Sequence, residues 1–182
     1  MRAIFRKGLL GILAAGALAV GTLKIHRMNS DPKLQKNYPV AVNGKTLNIP
    51  DYEFNDTNCA MGARLVARDV FGMKYAECSA WDRLKKDKII AKINSFEELD
   101  ELAQDGKLSE GMIVGIFNPD SKRKEKYTVG FTHNLVYLGK DDDRGCLFTH
   151  YLGDPLFVEN IEQLKNRGYE PRYIFAPQEQ SQ

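Results

Sequence analysis

The sequence lacks any real excess of charge. Its 26 lysines and arginines stand against 24 aspartates and glutamates, a formal net charge of +2. No basic stripe interleaved with aromatics occurs, so nucleic acid is not an expected partner. The densest basic run, Lys122, Arg123, Lys124 and Lys126, has the pattern of a solvated loop tip. Glycines stand singly, without the spacing of a phosphate-binding loop, and there is no internal repeat or low-complexity tract. Cysteine is scarce: Cys59, Cys78 and Cys146 cannot all pair within one chain, so a monomer keeps at least one free thiol. Histidine is equally scarce, with His26, His133 and His150 only. Neither Cys-x-x-Cys nor His-x-x-x-His spacing is present, so a metal centre built from Cys59, His133 and His150 is not expected. What remains is ordinary globular composition, 43% hydrophobic and 27% charged, over 182 residues. That suffices for one compact domain with a short appendage.

Long hydrophobic runs are absent too, with one exception. Gly8 to Leu23 carries no charge, and is flanked by Arg2, Arg6 and Lys7 before it and Lys24, His26 and Arg27 after it. At about 1.5 Å per residue the run reaches roughly 24 Å, against a hydrocarbon core of about 30 Å. Snorkelling cations, with Ile4, Phe5 and Ile25, extend it. An uncleaved membrane anchor is the expected reading. A cleaved signal is the alternative, since Ala17-Leu18-Ala19 offers small residues, although inside the run rather than after it. Cations on both sides leave the orientation open. The expected organisation is an anchor or signal segment plus polar linker over 1–37, a folded domain over 38–177 and a polar tail over 178–182.

Within that domain, Val40 to Ile49 predicts a hairpin around Asn43-Gly44, the dipeptide suited to a tight type I′ turn. Asp56, Thr57 and Asn58 are good N-cap types just ahead of Cys59. Ala60, Ala63, Ala67, Val70 and Phe71 then recur at helical spacing until Gly72. Ser79 to Lys86 reads as a second short helix. Ser95-Phe96-Glu97-Glu98 is a capping box opening a third that ends near Gly106. Beyond it, Met112–Phe117, His133–Leu138, Cys146–Leu152 and Tyr169–Phe175 are strand-like, and Asn160 is placed to cap a helix running to Arg167-Gly168. Asp141 to Gly145 is a polar connection suited to neighbouring antiparallel strands. Helices first and antiparallel strands afterwards imply an α+β domain.

The scarce thiols and imidazoles carry the chemistry. At a helix N-terminus the unpaired N–H groups and the dipole favour thiolate over thiol at Cys59. The same N–H groups can hold the oxyanion formed when that thiolate attacks a carbonyl. His133 opens a strand on which Leu135 and Tyr137 share its face, and Phe148, His150 and Leu152 share a face of the following strand. His150 can therefore lie beside His133 and hold it in the tautomer needed to take a proton from Cys59. Asn58 and Asn134 can assist by hydrogen bonding, beside capping and strand-edge roles. Cys78 and Cys146 read as structural or incidental thiols, with a disulfide open to them in an exported domain.

Asn58-Cys59-Ala60, then Gly111-Met112-Ile113-Val114, then His133-Asn134-Leu135-Val136-Tyr137-Leu138-Gly139, then Leu147-Phe148-Thr149-His150 resembles, in order, the motifs of NlpC-type papain-like cell-wall peptidases. Ala63-Arg64 and Ser79-Ala80-Trp81 look like the related CHAP-type amidases. The resemblance spans roughly Asp51 to Pro177. It implies a papain-like fold, with the nucleophile at a helix N-terminus packed on an antiparallel sheet. It also implies Cys59 as nucleophile, His133 as base and His150 as orienting residue, with no cofactor. Tyr52 is the nearest match to the aromatic lining that family's oxyanion site. The implied substrate is an amide bond of peptidoglycan peptides outside the cytoplasm. A membrane-associated acyltransferase or lipid-directed hydrolase using the same dyad is a second expectation, and an inactive binding module on the same scaffold a third.

Overall fold

The computed structural model describes residues 32–53, 59–77, 80–117, 133–151 and 156–178. The apolar run Gly8–Leu23, the residues Asn58 and Cys78, and the basic run Lys122–Lys126 lie outside them. Among the described residues no helix is long and apolar enough to cross a membrane.

Strands β1 (Lys33–Val42) and β2 (Lys45–Glu53) form an antiparallel hairpin. Asn43 and Gly44 close it with φ of 46° and 76°, the positive pair that a type I′ turn requires. Pairing runs back to Lys33 opposite Glu53, so the strand starts inside the polar stretch expected to be linker. Residues Lys33 to Pro39 are exposed. Their strand is held by main-chain pairing with β2, which leaves no hydrophobic pattern to read.

A second sheet has the order β3-β8-β4-β5-β6-β7, every neighbouring pair antiparallel. Its strands are β3 (Ile89–Lys92), β4 (Ile113–Phe117), β5 (His133–Asp141), β6 (Gly145–Tyr151), β7 (Leu156–Asn160) and β8 (Glu170–Phe175). The helices are α1 (Cys59–Phe71), α2 (Ala80–Lys86), α3 (Phe96–Gln104) and α4 (Ile161–Asn166). The domain is α+β with antiparallel sheets, as the order of helix and strand signals implies. Strands β3 and β7 have no counterpart in the sequence reading. Both are short edge strands and only partly buried, so their alternation is faint.

The central strands are buried on both faces. Val136, Leu138, Leu147 and Ile113 pack with Ala63, Val66 and Ala67 of α1 and with Val42, Ile49 and Tyr52 of the hairpin. Leu135, Tyr137, Phe148, Val114 and Ile116 pack on the other face with Phe96 and Leu99 of α3 and Leu164 of α4. Two-sided burial explains why Ile113-Val114-Gly115-Ile116-Phe117 reads as a continuous apolar run. Caps set the helix starts: Ser95 accepts from the Glu98 N–H at 3.2 Å, while the Glu98 carboxylate reaches back to Asn94 instead of Ser95. The reciprocal capping box is formed at α4, between Asn160 and Gln163.

Candidate active site

Cys59 is the first residue of α1, so its N–H has no acceptor within the helix. Two contacts fix where that helix end lies. Small residues along α1 let it approach the sheet closely, and Gly62 takes the ring of Tyr151 directly against its backbone: a Cβ there would meet Tyr151 Cδ2 at 2.3 Å. Arg83, fully buried on α2, donates to the Ala60 carbonyl at 3.2 Å and pairs with Asp87. The rings of Tyr75 and Phe175 flank the guanidinium at 5.7 and 6.0 Å.

His133 is the first residue of β5, paired with Ile116 of β4. Its side chain shares a face with Leu135 and, at the end of the strand, lies near enough to Cys59 to favour the thiolate. Asn134 points to the opposite face, the one α1 covers. Its Nδ2 lies 3.9 Å from the Cys59 sulfur, and its backbone N–H is directed at the same atom. Burial alone would push the Cys59 thiol up. The charge and hydrogen bond of His133, with the two Asn134 donors, outweigh it and bring the thiol down to about 7. Cys146, in the core between β6 and α3, goes the other way. Burial and the Asp100 carboxylate 3.2 Å from its sulfur push it up to about 12.

Behind His133, its Nε2 lies 3.0 Å from Nδ1 of His150. His150 Nε2 in turn lies 2.9 Å from Oε2 of Glu159, and the other oxygen, Oε1, accepts from Arg167 at 2.6 Å. The line follows from strand register. Val136 pairs with Thr149, and His150 pairs with Phe157, so His133, His150 and Glu159 fall on a diagonal across β5, β6 and β7, all on one face. Phe157 stacks on the His150 ring at 5.6 Å, and Tyr169 stands edge-on at 6.2 Å. Burial, then the charge of His133, push the His150 imidazole down to about 4 despite Glu159, so it is neutral at pH 7.

A neutral imidazole has one donor and one acceptor nitrogen. The Glu159 carboxylate, clamped by Arg167, accepts from His150 Nε2–H. Nδ1 of His150 must then accept from His133 Nε2–H. That leaves His133 Nδ1 as the nitrogen for the Cys59 thiol. In this chain each ring nitrogen is turned to a neighbour.

Of the residues singled out from sequence, Cys59, His133 and His150 meet here. The Tyr52 hydroxyl does not reach them; it donates to Asp69, ten residues further along α1 and so about 15 Å from Cys59 along the axis. Asn58 lies outside the described residues. Asn134, weighed only for an assisting role, contacts the sulfur, while Glu159 and Arg167 were not singled out at all. No local signal marks either residue, because the strand that carries Glu159 is a short, partly buried edge. In comparisons with known proteins, the chain matches no family model, no curated protein and no solved structure.

Proposed function

We propose that the chain is a cysteine hydrolase of the papain-like class, cleaving amide bonds, with Cys59 as nucleophile, His133 as base and His150 as the residue that orients it. The observation that carries this reading is the convergence of Cys59, at the start of α1, with His133, whose Nε2 lies 3.0 Å from His150 Nδ1 and whose charge helps draw the thiol down to about 7. His133 takes the thiol proton, giving a thiolate–imidazolium pair. The thiolate attacks the substrate carbonyl carbon, and the carbonyl π pair moves onto oxygen. The Cys59 N–H at the start of α1 is the donor for that oxyanion. Collapse breaks the C–N bond as His133 gives its proton to the leaving amine. Water, losing a proton to His133, then attacks the thioester and releases the acid. Thiolate and imidazolium are thereby restored.

The motif resemblance supports a peptide amide of peptidoglycan as the substrate class and a site of action outside the cytoplasm, and the apolar run Gly8–Leu23 supports attachment to the membrane. Assay of the full-length protein on purified peptidoglycan fragments tests it. New free amines are expected, abolished by Cys59→Ala and reduced about 10²–10⁴-fold by His133→Ala, the usual worth of general-base assistance. Turnover of acyl-lipid substrates instead would make the chain a lipid-directed enzyme on the same dyad. Loss of neither reaction in Cys59→Ala would overturn the nucleophile.

A further inference from the structure

The geometry points to an outer member of the line: Glu159, clamped by Arg167, is a positioning residue that fixes which nitrogen of His150, and through it of His133, carries the proton. This inference deepens the proposed hydrolase and rests on it. Glu159 is nearly buried, with its side chain 8% exposed, and its two oxygens have different partners, Oε1 toward Arg167 and Oε2 toward His150. Burying a carboxylate is costly unless it is paired and hydrogen-bonded. Arg167 meets that cost from one side and is itself braced over the Phe157 ring at 4.9 Å. Phe157 stacks on His150, so the clamp and the imidazole are held by one aromatic.

Among the described residues, the ionisable groups facing the two histidines are Cys59 from α1, Glu159 from β7, Arg167 from the end of α4 and Tyr169 from the turn before β8. Only Glu159 among them is hydrogen-bonded to the outer nitrogen of His150. Without that acceptor, His150 can carry its proton on Nδ1. It then opposes His133 Nε2–H donor to donor. His133 must rotate or change tautomer, and its Nδ1 is no longer secured for the thiol. The carboxylate also stabilises the imidazolium that forms on His133, through the intervening ring.

The test combines two readouts on the full-length protein. Long-range ¹H–¹⁵N correlation assigns the His150 tautomer among only three imidazoles, and mass spectrometry follows Cys59 alkylation at pH 7. In the wild type His150 should be protonated at Nε2 alone. Glu159→Ala should populate both tautomers and slow alkylation about fivefold, the loss of thiolate at pH 7 when the midpoint rises from about 7 by one unit. Glu159→Gln, whose amide oxygen can still accept but which lacks the charge that steadies the imidazolium, should keep the Nε2–H tautomer and recover only part of the rate, staying about two- to threefold slower than wild type. A folded Glu159→Ala with wild-type tautomer and rate overturns the inference. Should Glu159→Ala fail to fold, an unchanged rate in Glu159→Gln overturns it. The hydrolase reading fails differently: wild-type Cys59 would then label no faster than an ordinary thiol and would be indifferent to His133→Ala.

Discussion

Cys59 and Cys146 show what decides the behaviour of a thiol in this domain. Both suffer desolvation. Beside Cys146 stands a carboxylate, which adds to the penalty on the anion, and the thiol is inert near neutrality. Beside Cys59 stand an imidazole and two N–H donors, which reverse it. His150 shows the same balance with the opposite sign, because burial of a base favours its neutral form. Its consequence for stability can be measured. The unfolded imidazole takes a proton below about pH 6.5 and the folded one only near pH 4, so between them the unfolded chain binds more protons. Stability therefore rises with pH across that window and is lost as pH falls through it, by about 3 kcal/mol. Denaturant midpoints from pH 7 to pH 4 should fall accordingly, and His150→Gln should flatten that part of the slope. An equally steep slope in His150→Gln would assign the titration to another group.

At the scale of elements, the site is a meeting of one helix end with one strand end. Helix α1 has to approach the sheet closely for Cys59 to reach the start of β5, and Gly62 is what permits it. The Tyr151 ring occupies the space a side chain at 62 would need, and its hydroxyl is tied to the Pro50 carbonyl, so the ring cannot simply swing away. Gly62→Ala gains up to about 1 kcal/mol of helix propensity. Overpacking costs about 1–3 kcal/mol, so the net effect should be destabilising. Because Tyr151 follows His150 on β6, the same substitution should also disturb the histidine line and lower turnover. A Gly62→Ala protein as stable and active as wild type would show that α1 has slack against the sheet.

Over the whole molecule, what the sequence made legible was local. The Asn-Gly turn, the start of α1 at Cys59, the caps of α3 and α4, and strands β4, β5, β6 and β8 each carry a signal within a few residues. Alternation alone put His150 on the side of β6 that faces His133. Strands β3 and β7 were hidden because short edge strands bury little. With β7 hidden, nothing in the sequence marked Glu159, whose role depends on which strand lies beside β6 and in what register. Long-range pairing of that kind leaves no local trace. The account's central claim is that Cys59 is a thiolate nucleophile made so by His133. Competitive alkylation of the full-length protein across pH 5 to 10, read cysteine by cysteine, tests it most directly. The account predicts a Cys59 midpoint near 7, well below the ordinary thiol value of about 8.5, with Cys146 silent throughout and the Cys59 midpoint raised in His133→Ala. Equal labelling of Cys59 and Cys146, unchanged by His133→Ala, would contradict it.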